Sequence, residues 1–312
     1  MPIYYNSIND PGIYTNSTSS LGTIYVGGTK VRAGFLKPGA AMSGSGGTVY
    51  EYDGYRTHVF TTTGSNTFTI NSTGSSYNQV EVLIVGGGGS SSPQPNGGGG
   101  GGGGVVYIQA YPITSSGNIN VFVGAGGPKG TVGINFEGQN GVTSSFAGIV
   151  ALGGGGGGNY LGGANNGLNG GSGGGGSGNA CPGYGDCTAH NGGTGLQPTA
   201  SLPAGAIGYG NNGAAATSCI QPGCANPYQS NYIWQYGGGG GGAGGAASAQ
   251  QSGSGLFYNW TGINTEFGAG GDSNTFKTGS ANTGKGGSTG TGYVAGGADG
   301  GSGIVMVRYR YL

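Results

Sequence analysis

The feature that most constrains this chain is a run of eight consecutive glycines at residues 97–104, which leads directly into the strand-like sequence VVYIQA. Glycine offers no side chain to pack and loses more backbone entropy on folding than any other residue. The run is therefore either a flexible linker or a structural element in its own right. Similar clusters recur at 86–89, 153–158, 170–178 and 237–245.

The composition is unusual for a folded domain. Of 312 residues, 84 are glycine and 12 are proline, a share typical of low-complexity or disordered sequences. Yet the chain has only nine basic and nine acidic residues, whereas disordered chains are usually rich in charge. It also has 20 Tyr, 9 Phe and 2 Trp, more aromatic side chains than an entropic spacer needs. These counts favour a folded, glycine-rich protein.

Several partner classes are disfavoured by the same sequence. Lysine and arginine are scattered, with no basic stripe for a nucleic acid. No apolar run approaches the roughly 18 residues that span a membrane, so we expect no membrane insertion. The first residues, MPIYYNSINDPG, lack the basic and apolar regions of a signal peptide. We therefore expect synthesis in the cytoplasm without export by that route.

Short β-branched and aromatic segments predict an all-β fold without α-helices. In QVEVLIV, Val80, Val82 and Ile84 should face one side of a sheet, with Glu81 and Leu83 on the other. The other predicted strands of the first half are TVYEY, THVFTTT, NTFTI, VVYIQA and NINVFVGAGG, whereas strands almost vanish between about 158 and 300.

The closing segment GIVMVRYRYL predicts a last strand in which Ile304, Met306 and Arg308 alternate with Val305, Val307 and Tyr309. A strand this apolar needs a sheet, and the sheet formed by residues 48–123 is the expected partner. We predict an N-terminal attachment segment at 1–46 and a glycine-rich domain at 47–312. Its sheet part is 47–152 plus 304–311, and its glycine bundle with surface loops spans about 86–303. The alternative for the first segment is an ordinary strand pair of the same domain.

Glycine runs can adopt the extended helix with three residues per turn. Without a Cβ, neighbouring runs can approach closely enough to satisfy each other's backbone groups. We therefore predict a polyglycine-II bundle that tolerates no inward side chains, with independent flexible linkers as the alternative. The scaffold glycines of this prediction are Gly97, Gly100, Gly104, Gly153, Gly158, Gly237 and Gly242.

If the runs are scaffold, the inserts between them should carry recognition, because binding residues concentrate on loops held by rigid elements. The inserts at 181–193, 219–236 and 255–262 are rich in Tyr, Ser, Gly and Asn, the vocabulary of evolved binding loops. Their rings could stack on sugar faces or pack against one another and shield the runs. The candidate receptor-binding residues are Tyr184, His190, Tyr228, Tyr232, Trp234, Phe257, Tyr258 and Trp260.

Four cysteines, Cys181, Cys187, Cys219 and Cys224, allow three disulfide pairings. The near pairs 181–187 and 219–224 enclose Pro and Gly, which eases tight closure. A zinc site that includes His190 is a rival, although the five residues between Cys181 and Cys187 exceed the usual two to four. Free buried thiols are the third alternative. We expect no metal and no cofactor.

No pattern indicates an enzyme. His58 and His190 lie in unrelated segments, and His58 in YRTHVF is expected at a strand surface. The carboxylates show no spacing suited to glycoside hydrolysis. In a chain this rich in glycine, a dinucleotide-binding fingerprint arises by chance, and no Gly-Lys-Ser/Thr phosphate loop is present.

The ordered series HVFTTTGSNTFTI, VEVLIVGGGG, VGAGG, SSFAGIVALGGGGGG and GGSGIVMVRY resembles the glycine-rich domain of tailed-phage structural proteins over about residues 48–310. The upstream GTIYVGGTKVRAGF is similar to short units at the amino end of phage fibre proteins. The resemblance implies a virion surface protein: a tail-fibre tip or adhesin, or alternatively a head fibre or capsid-decorating protein without a specific receptor.

The resemblance also implies partners. The N-terminal segment would bind other virion proteins, and the aromatic loops would bind a bacterial surface carbohydrate or outer-surface protein. An oligomer such as a trimer is compatible with this role. The expected location is the virion surface.

Overall fold

The structure is a computed structural model that describes residues 24–26, 29–31, 41–74, 78–93, 96–130, 137–159, 166–178, 180–181, 190–197, 200–218, 233–290 and 296–311. In these residues it contains β-strands and no α-helix, which confirms the predicted all-β class. The chain divides into two compact units, residues 1–39 and 40–312.

The smaller unit contains an antiparallel pair formed by β1 (Ile24–Val26) and β2 (Thr29–Val31). The strands of the larger unit are β3 (Ser43–Ser45), β4 (Thr48–Tyr52), β5 (Tyr55–Phe60), β6 (Gly64–Ser72), β7 (Gln79–Val85), β8 (Val105–Pro112), β9 (Gly117–Val123), β10 (Ser144–Phe146), β11 (Ile149–Ala151), β12 (Ala180–Cys181), β13 (Ala206–Tyr209), β14 (Thr217–Ser218), β15 (Ile233–Tyr236), β16 (Leu256–Tyr258), β17 (Thr265–Phe267) and β18 (Ile304–Arg310). β3 pairs with β6, and the larger unit begins at residue 40, a few residues before the predicted boundary at 46. The short strands β12–β17 correct the expectation that strands almost vanish after residue 158.

Two antiparallel sheets organise the larger unit. The six-stranded sheet has the order β13-β8-β7-β18-β5-β4, and the five-stranded sheet has the order β11-β10-β9-β6-β3. The last strand therefore lies in the middle of the six-stranded sheet, where Met306 is opposite Val59 on one side and Leu83 on the other. This confirms the prediction that β18 pairs within the sheet formed by 48–123.

The main apolar core combines residues from both sheets. Val80, Val82 and Ile84 belong to it, together with Phe68 and Phe146 from the five-stranded sheet. The opposite face of the six-stranded sheet contributes a second core cluster that includes Leu83, Val85, Ile304 and Met306. The predicted alternation in β7 and β18 is thus confirmed. Both faces of these strands are covered, because one face packs in the main core and the other packs in the second cluster.

His58 is fully buried beside residues of the main apolar core, so its expected position at a strand surface is wrong. The edge of its ring lies against Phe68, with centroids 5.0 Å apart, and the ring stacks on Tyr309 at 5.7 Å. An imidazole can occupy such a site because both ring nitrogens have hydrogen-bond partners, Gly46 and Tyr309.

Strands of both sheets continue directly into extended glycine-rich segments. These segments, which we call the glycine bundle, are 86–92, 98–104, 124–127, 138–142, 152–158, 167–176, 237–245, 268–273, 284–289 and 298–303. Most of them are buried along most of their length, and all of them hydrogen-bond to other segments through the backbone. The first segment follows β7 and the second precedes β8, so the bundle prolongs the sheet.

The backbone amides of 98–104 donate hydrogen bonds to three neighbouring segments in turn. Gly98, Gly101 and Gly104 donate to carbonyl groups of 152–158 at 2.7–3.0 Å. The amides of Gly99 and Gly102 donate to carbonyl groups of 237–245. Those of Gly100 and Gly103 donate to carbonyl groups of 284–289. The direction of donation thus repeats every three residues, and each turn contributes one hydrogen bond in each of three directions.

The carbonyl groups of the same run accept from three further segments: 86–92, 167–176 and 268–273. The run therefore has six hydrogen-bonded neighbours. The segment 86–92 is surrounded in the same way, because its donors and acceptors engage six other segments. Such a lattice satisfies the buried backbone without a conventional apolar core, which explains how so few apolar residues suffice.

Some serine side chains enter the bundle and replace a backbone hydrogen bond. Ser91 is fully buried, its hydroxyl donates to the Ser288 carbonyl at 3.1 Å, and the Ala298 amide donates to that hydroxyl at 2.8 Å. The prediction that the runs tolerate no inward side chains is therefore too strict for serine.

Asparagine side chains accept hydrogen bonds from backbone amides at the rim of the bundle. The side-chain oxygen of Asn140 accepts from the Gly156 amide at 2.8 Å, and that of Asn169 accepts from the Thr194 amide at 2.7 Å. Asn212 accepts from the Gly195 amide in the same manner, at 2.9 Å. An amide side chain therefore occupies positions at which a further glycine segment would otherwise be needed.

Candidate functional site

The insert at 255–262 folds back over the outer face of the six-stranded sheet. Its strand β16 pairs with β17, and Trp260 follows in the connection between them. Trp260 is 4% exposed and belongs to the second core cluster, whereas Phe257 is 61% exposed. The ring of Trp260 is therefore used in packing, which is one of the two alternatives that the sequence left open for the aromatic inserts. Phe257 remains available at the surface.

Trp260 covers one side of a stacked arginine. The Cζ atom of Arg308 lies 4.2 Å from the centroid of the Trp260 ring and 4.6 Å from that of Tyr55. Tyr258 lies half-buried beside Trp260, with centroids 5.8 Å apart, and burial raises the pKa of Tyr258 to about 12. Two aromatic rings thus hold the guanidinium through cation–π contacts.

A carboxylate completes this arrangement. Glu81 on β7 accepts a hydrogen bond from Nη2 of Arg308 at 2.8 Å and another from the hydroxyl of Tyr107, also at 2.8 Å. Burial, followed by the contact with Glu81, raises the pKa of Tyr107. The Nε atom of Arg308 is buried and has no hydrogen-bond partner among the described residues.

A cleft of about 490 Å³ opens beside this ion pair. Four strands, β5, β7, β8 and β18, supply its walls, which makes the site rigid. The polar and charged side chains that line it include Tyr55, Gln79, Glu81, Gln109, Arg308 and Arg310. The guanidinium of Arg310 lies 5.3 Å from the Tyr55 ring centroid, and its Nε donates to the Tyr55 hydroxyl at 3.2 Å.

The structure places the other candidate binding residues as follows. Tyr184, Tyr228 and Tyr232 lie outside the described residues. Trp234 lies in β15, where its backbone pairs with Ala180 of β12. Among the candidate aromatic residues that the structure describes, Tyr258 and Trp260 are the pair in ring contact.

His190 is half-buried at the end of one insert, and burial lowers its pKa. Its carbonyl group accepts the Ala216 amide at 2.9 Å, which ties the insert to the bundle. Its Nε2 atom is buried without a hydrogen-bond partner in the described part of the chain.

Cys181 lies in β12, where its backbone is opposite Ile233, whereas Cys187, Cys219 and Cys224 lie outside the described residues. The three alternatives for the cysteines remain predictions. Across the described ranges, no group of three or more His, Cys, Asp or Glu side chains is arranged to hold a metal ion. Nor does this part of the chain contain a helix with the length and apolar character needed to cross a membrane.

The predicted scaffold glycines all lie in or next to the bundle. Gly97 and Gly158 are buried, and the Gly98 amide donates to the Gly158 carbonyl at 3.0 Å. A Cβ at any of the other five would come closer than 3.0 Å to a neighbouring atom, which real Cβ atoms essentially never do; these are Gly100, Gly104, Gly153, Gly237 and Gly242.

Sequence reasoning missed the cluster around Arg308. The signal was present, because Glu81 and Arg308 are charged residues within otherwise apolar strands, QVEVLIV and IVMVRYR. Their positions directly opposite each other in adjacent strands depend on the register, which the pattern of each strand alone does not give. A second missed signal is the Asn-Gly pair, because Asn140 and Asn212, which accept backbone amides at the rim of the bundle, are each followed by glycine.

Comparison with known proteins adds one finding. Residues 61–310 match the family model of a glycine-rich domain. This span covers both sheets apart from β3, β4 and β5, together with the whole glycine bundle. No curated protein matches the chain significantly.

Proposed function

Because this chain belongs to the glycine-rich domain family, we propose that it is a structural protein of a tailed-phage virion, exposed on the particle and used in attachment to the host surface. The proposal takes its phage setting from the resemblance of the ordered strand and glycine segments described above. In this role the protein acts as a non-enzymatic binding scaffold at the virion surface.

The observation that carries the proposal is the hydrogen-bond lattice of the glycine bundle. Donation from 98–104 repeats with a period of three, and the donors and acceptors of this run together engage six neighbouring segments. This is the period of an extended helix with three residues per turn, and we interpret the bundle as polyglycine II. A scaffold of this kind is held by many short-range hydrogen bonds, so its loops can vary without disturbing it.

The inserts leave and re-enter the bundle at points fixed by hydrogen bonds. At the base of the insert that ends at His190, the Gly178 amide donates to the Asn96 carbonyl at 2.8 Å, and the Gly176 amide donates to the Ala214 carbonyl at 3.0 Å. The insert sequences are rich in Tyr, Asn, Ser and Gly. Such residues, mounted on a rigid base, provide large contact areas at low entropic cost.

Exposed apolar side chains in the described part of the unit fit a surface that makes contacts. Phe257, Ile263 and Phe276 are all more than half exposed. In the proposed arrangement, the aromatic loops meet a bacterial surface carbohydrate or outer-surface protein, while the N-terminal segment binds other virion proteins.

The test is to locate the protein on intact virions whose genome encodes it. A gold-labelled antibody raised against residues 181–236 would be imaged by electron microscopy, with virions treated with pre-immune antibody as the control. Label confined to the tail or fibre tip is the expected result. Label spread over the head would replace attachment by the head-fibre or capsid-decorating role, and unlabelled virions would overturn the virion proposal itself.

A further inference from the structure

The cleft beside Arg308 has the size and rigidity of a ligand site. Its volume of about 490 Å³ falls within the usual range for small-molecule pockets. Its floor lies on strands in the interior of the six-stranded sheet, with the Arg308 guanidinium held between Trp260 and Tyr55 at 4.2 and 4.6 Å. Groups fixed by strands and by stacking need little reorganisation when a ligand binds.

The lining is polar and carries an excess of positive charge. Among its ionised groups are two guanidinium groups, Arg308 and Arg310, and one carboxylate, Glu81. The whole chain is formally neutral and has only four arginines, so this is a local concentration of charge. Gln79 and Gln109 are exposed and add amide groups that can both donate and accept hydrogen bonds.

Stability alone does not explain the Glu81–Arg308 pair. Side chains of the two residues are only 17% and 21% exposed, and an ion pair this buried is often no more stabilising than apolar residues of the same volume. The chain nevertheless places this pair in the middle of a sheet, with the Arg308 Nε buried and without a partner in the described residues. Both side chains of the pair line the cleft, and recognition of a ligand is one explanation for a charged pair at this position.

We propose that this cleft binds an oligosaccharide that carries a carboxylate group. Arg310 at the rim binds the carboxylate, and Arg308, whose charge is balanced by Glu81, forms part of the polar floor. Gln79 and Gln109 form hydrogen bonds with sugar hydroxyls, which need both donors and acceptors. The carboxylate of Glu81 is held by Arg308 and Tyr107, so it fixes the position of Arg308 and is not itself a ligand contact.

The inference goes beyond the proposed function and does not rest on it. The attachment proposal assigns recognition to the loops of the glycine bundle, whereas this cleft lies on the six-stranded sheet. Virion labelling tests the first, and a solution titration tests the second, so either can fail without the other.

The experiment is a titration of the full chain with trigalacturonic acid, followed by calorimetry and by backbone amide NMR shifts. Two control probes are the methyl ester of the same trisaccharide, which lacks the charge, and sodium acetate, which lacks the sugar. We expect the acid to bind most tightly and to shift the amides of Gln79, Gln109 and Arg310. Equal binding of the ester would overturn the carboxylate requirement, and equally tight binding of acetate would reduce the site to an anion site. Absence of binding up to about 10 mM would overturn the proposal.

A matched pair of variants tests the location. Arg310→Gln removes one charge at the rim and should weaken binding of the acid at least tenfold. Lys277→Gln makes the same change in charge at an exposed position outside the cleft lining and should alter binding less than twofold. Equal effects of the two variants would show that only net charge matters, which would overturn the site. Because both side chains are exposed, unfolding of the variants should not interfere with the comparison.

Discussion

The hydroxyl of Tyr309 donates a hydrogen bond to Nε2 of His58, 3.1 Å away, although the two residues are 251 positions apart. The partner of Nδ1 is the Gly46 carbonyl at 2.8 Å, which can only accept, so Nδ1 carries the proton of the neutral ring. The Tyr309 oxygen in turn accepts the Gly44 amide at 2.9 Å. One chain of hydrogen bonds thus links β3, β5 and β18.

Removal of one hydroxyl should break this chain. Tyr309→Phe leaves the Gly44 amide and His58 Nε2 without a partner in a buried site, which should lower the free energy of unfolding by about 1–3 kcal/mol. The matched control is Tyr311→Phe, two residues later, where the lost hydroxyl donates to Glu51 at an exposed site. Urea unfolding of both variants checks this. Equal destabilisation by the two changes would contradict a special role for the buried network.

Stability should fall on acidification. Burial lowers the pKa of His58 below its ordinary value of 6.5, so the unfolded chain binds the proton more readily than the folded protein. The contribution of His58 is therefore complete above pH 6.5 and is lost as the pH falls from 6.5 toward the folded-state pKa.

His58→Asn should keep a donor for the Gly46 carbonyl, lose overall stability and show a shallower pH dependence between about pH 7.5 and pH 5. His190→Gln serves as a comparison, because burial also lowers the pKa of His190. Urea midpoints measured across this range test the prediction. An unchanged slope in His58→Asn would show that His58 does not titrate as the structure requires.

The glycine run should reject even one methyl group. A Cβ on Gly100 would lie well inside the van der Waals distance of the Gly89 carbonyl oxygen. We expect Gly100→Ala to cost at least about 3 kcal/mol, since neither neighbouring backbone can move without loss of hydrogen bonds. Gly290→Ala is the control, because its Cβ would meet Phe276 at an ordinary 3.6 Å and its φ lies outside the left-handed region. Thermal unfolding of the two variants should separate them clearly, and similar melting temperatures would argue for a linker.

Hydrogen exchange gives an independent view of the same run. The amides of residues 98–104 all donate to backbone carbonyls at 2.7–3.0 Å inside the bundle, so we expect them to exchange only through global opening. Gly148, exposed in the two-residue turn between β10 and β11, is the internal reference and should exchange fast. Mass spectrometry or NMR can measure both. Fast exchange throughout the run would restore the linker hypothesis.

The two aromatic residues of the 255–262 insert should separate packing from recognition. Trp260→Ala removes a buried ring that contacts Arg308 and Tyr107, and should cost about 3–5 kcal/mol. Phe257→Ala should leave the unfolding midpoint nearly unchanged, because the ring is mostly exposed. Denaturant unfolding tests both. A stable Trp260→Ala protein would return Trp260 to the list of candidate binding residues.

Much of the sheet could be predicted because strand patterns are local. The alternation in β7 and β18 followed from side chains that point to opposite faces, and the apolar character of β18 required a partner. An additional local signal was present in YDGY, where Asp53 and Gly54 have positive φ and form the two-residue turn between β4 and β5.

The rest depended on relations that no single segment contains. The burial of His58 follows from the meeting of β3, β5 and β18. The Glu81–Arg308 pair follows from the register between β7 and β18. The sequence left the role of Trp260 open, because an aromatic insert gives the same sequence pattern whether it covers a sheet or faces a partner. The six-neighbour arrangement of the glycine segments likewise depends on which runs meet, and glycine carries no side chain to record that choice.

The central position of β18 bears on biosynthesis. This strand lies between β5 and β7, yet the ribosome makes it more than 200 residues after both. Until residue 304 has left the ribosome, β5 and β7 cannot be joined, and each presents an unpaired edge. A nascent chain that is stalled or cleaved before that point therefore cannot complete the sheet. Synthesis of β18 therefore sets the earliest point at which the central sheet can be completed.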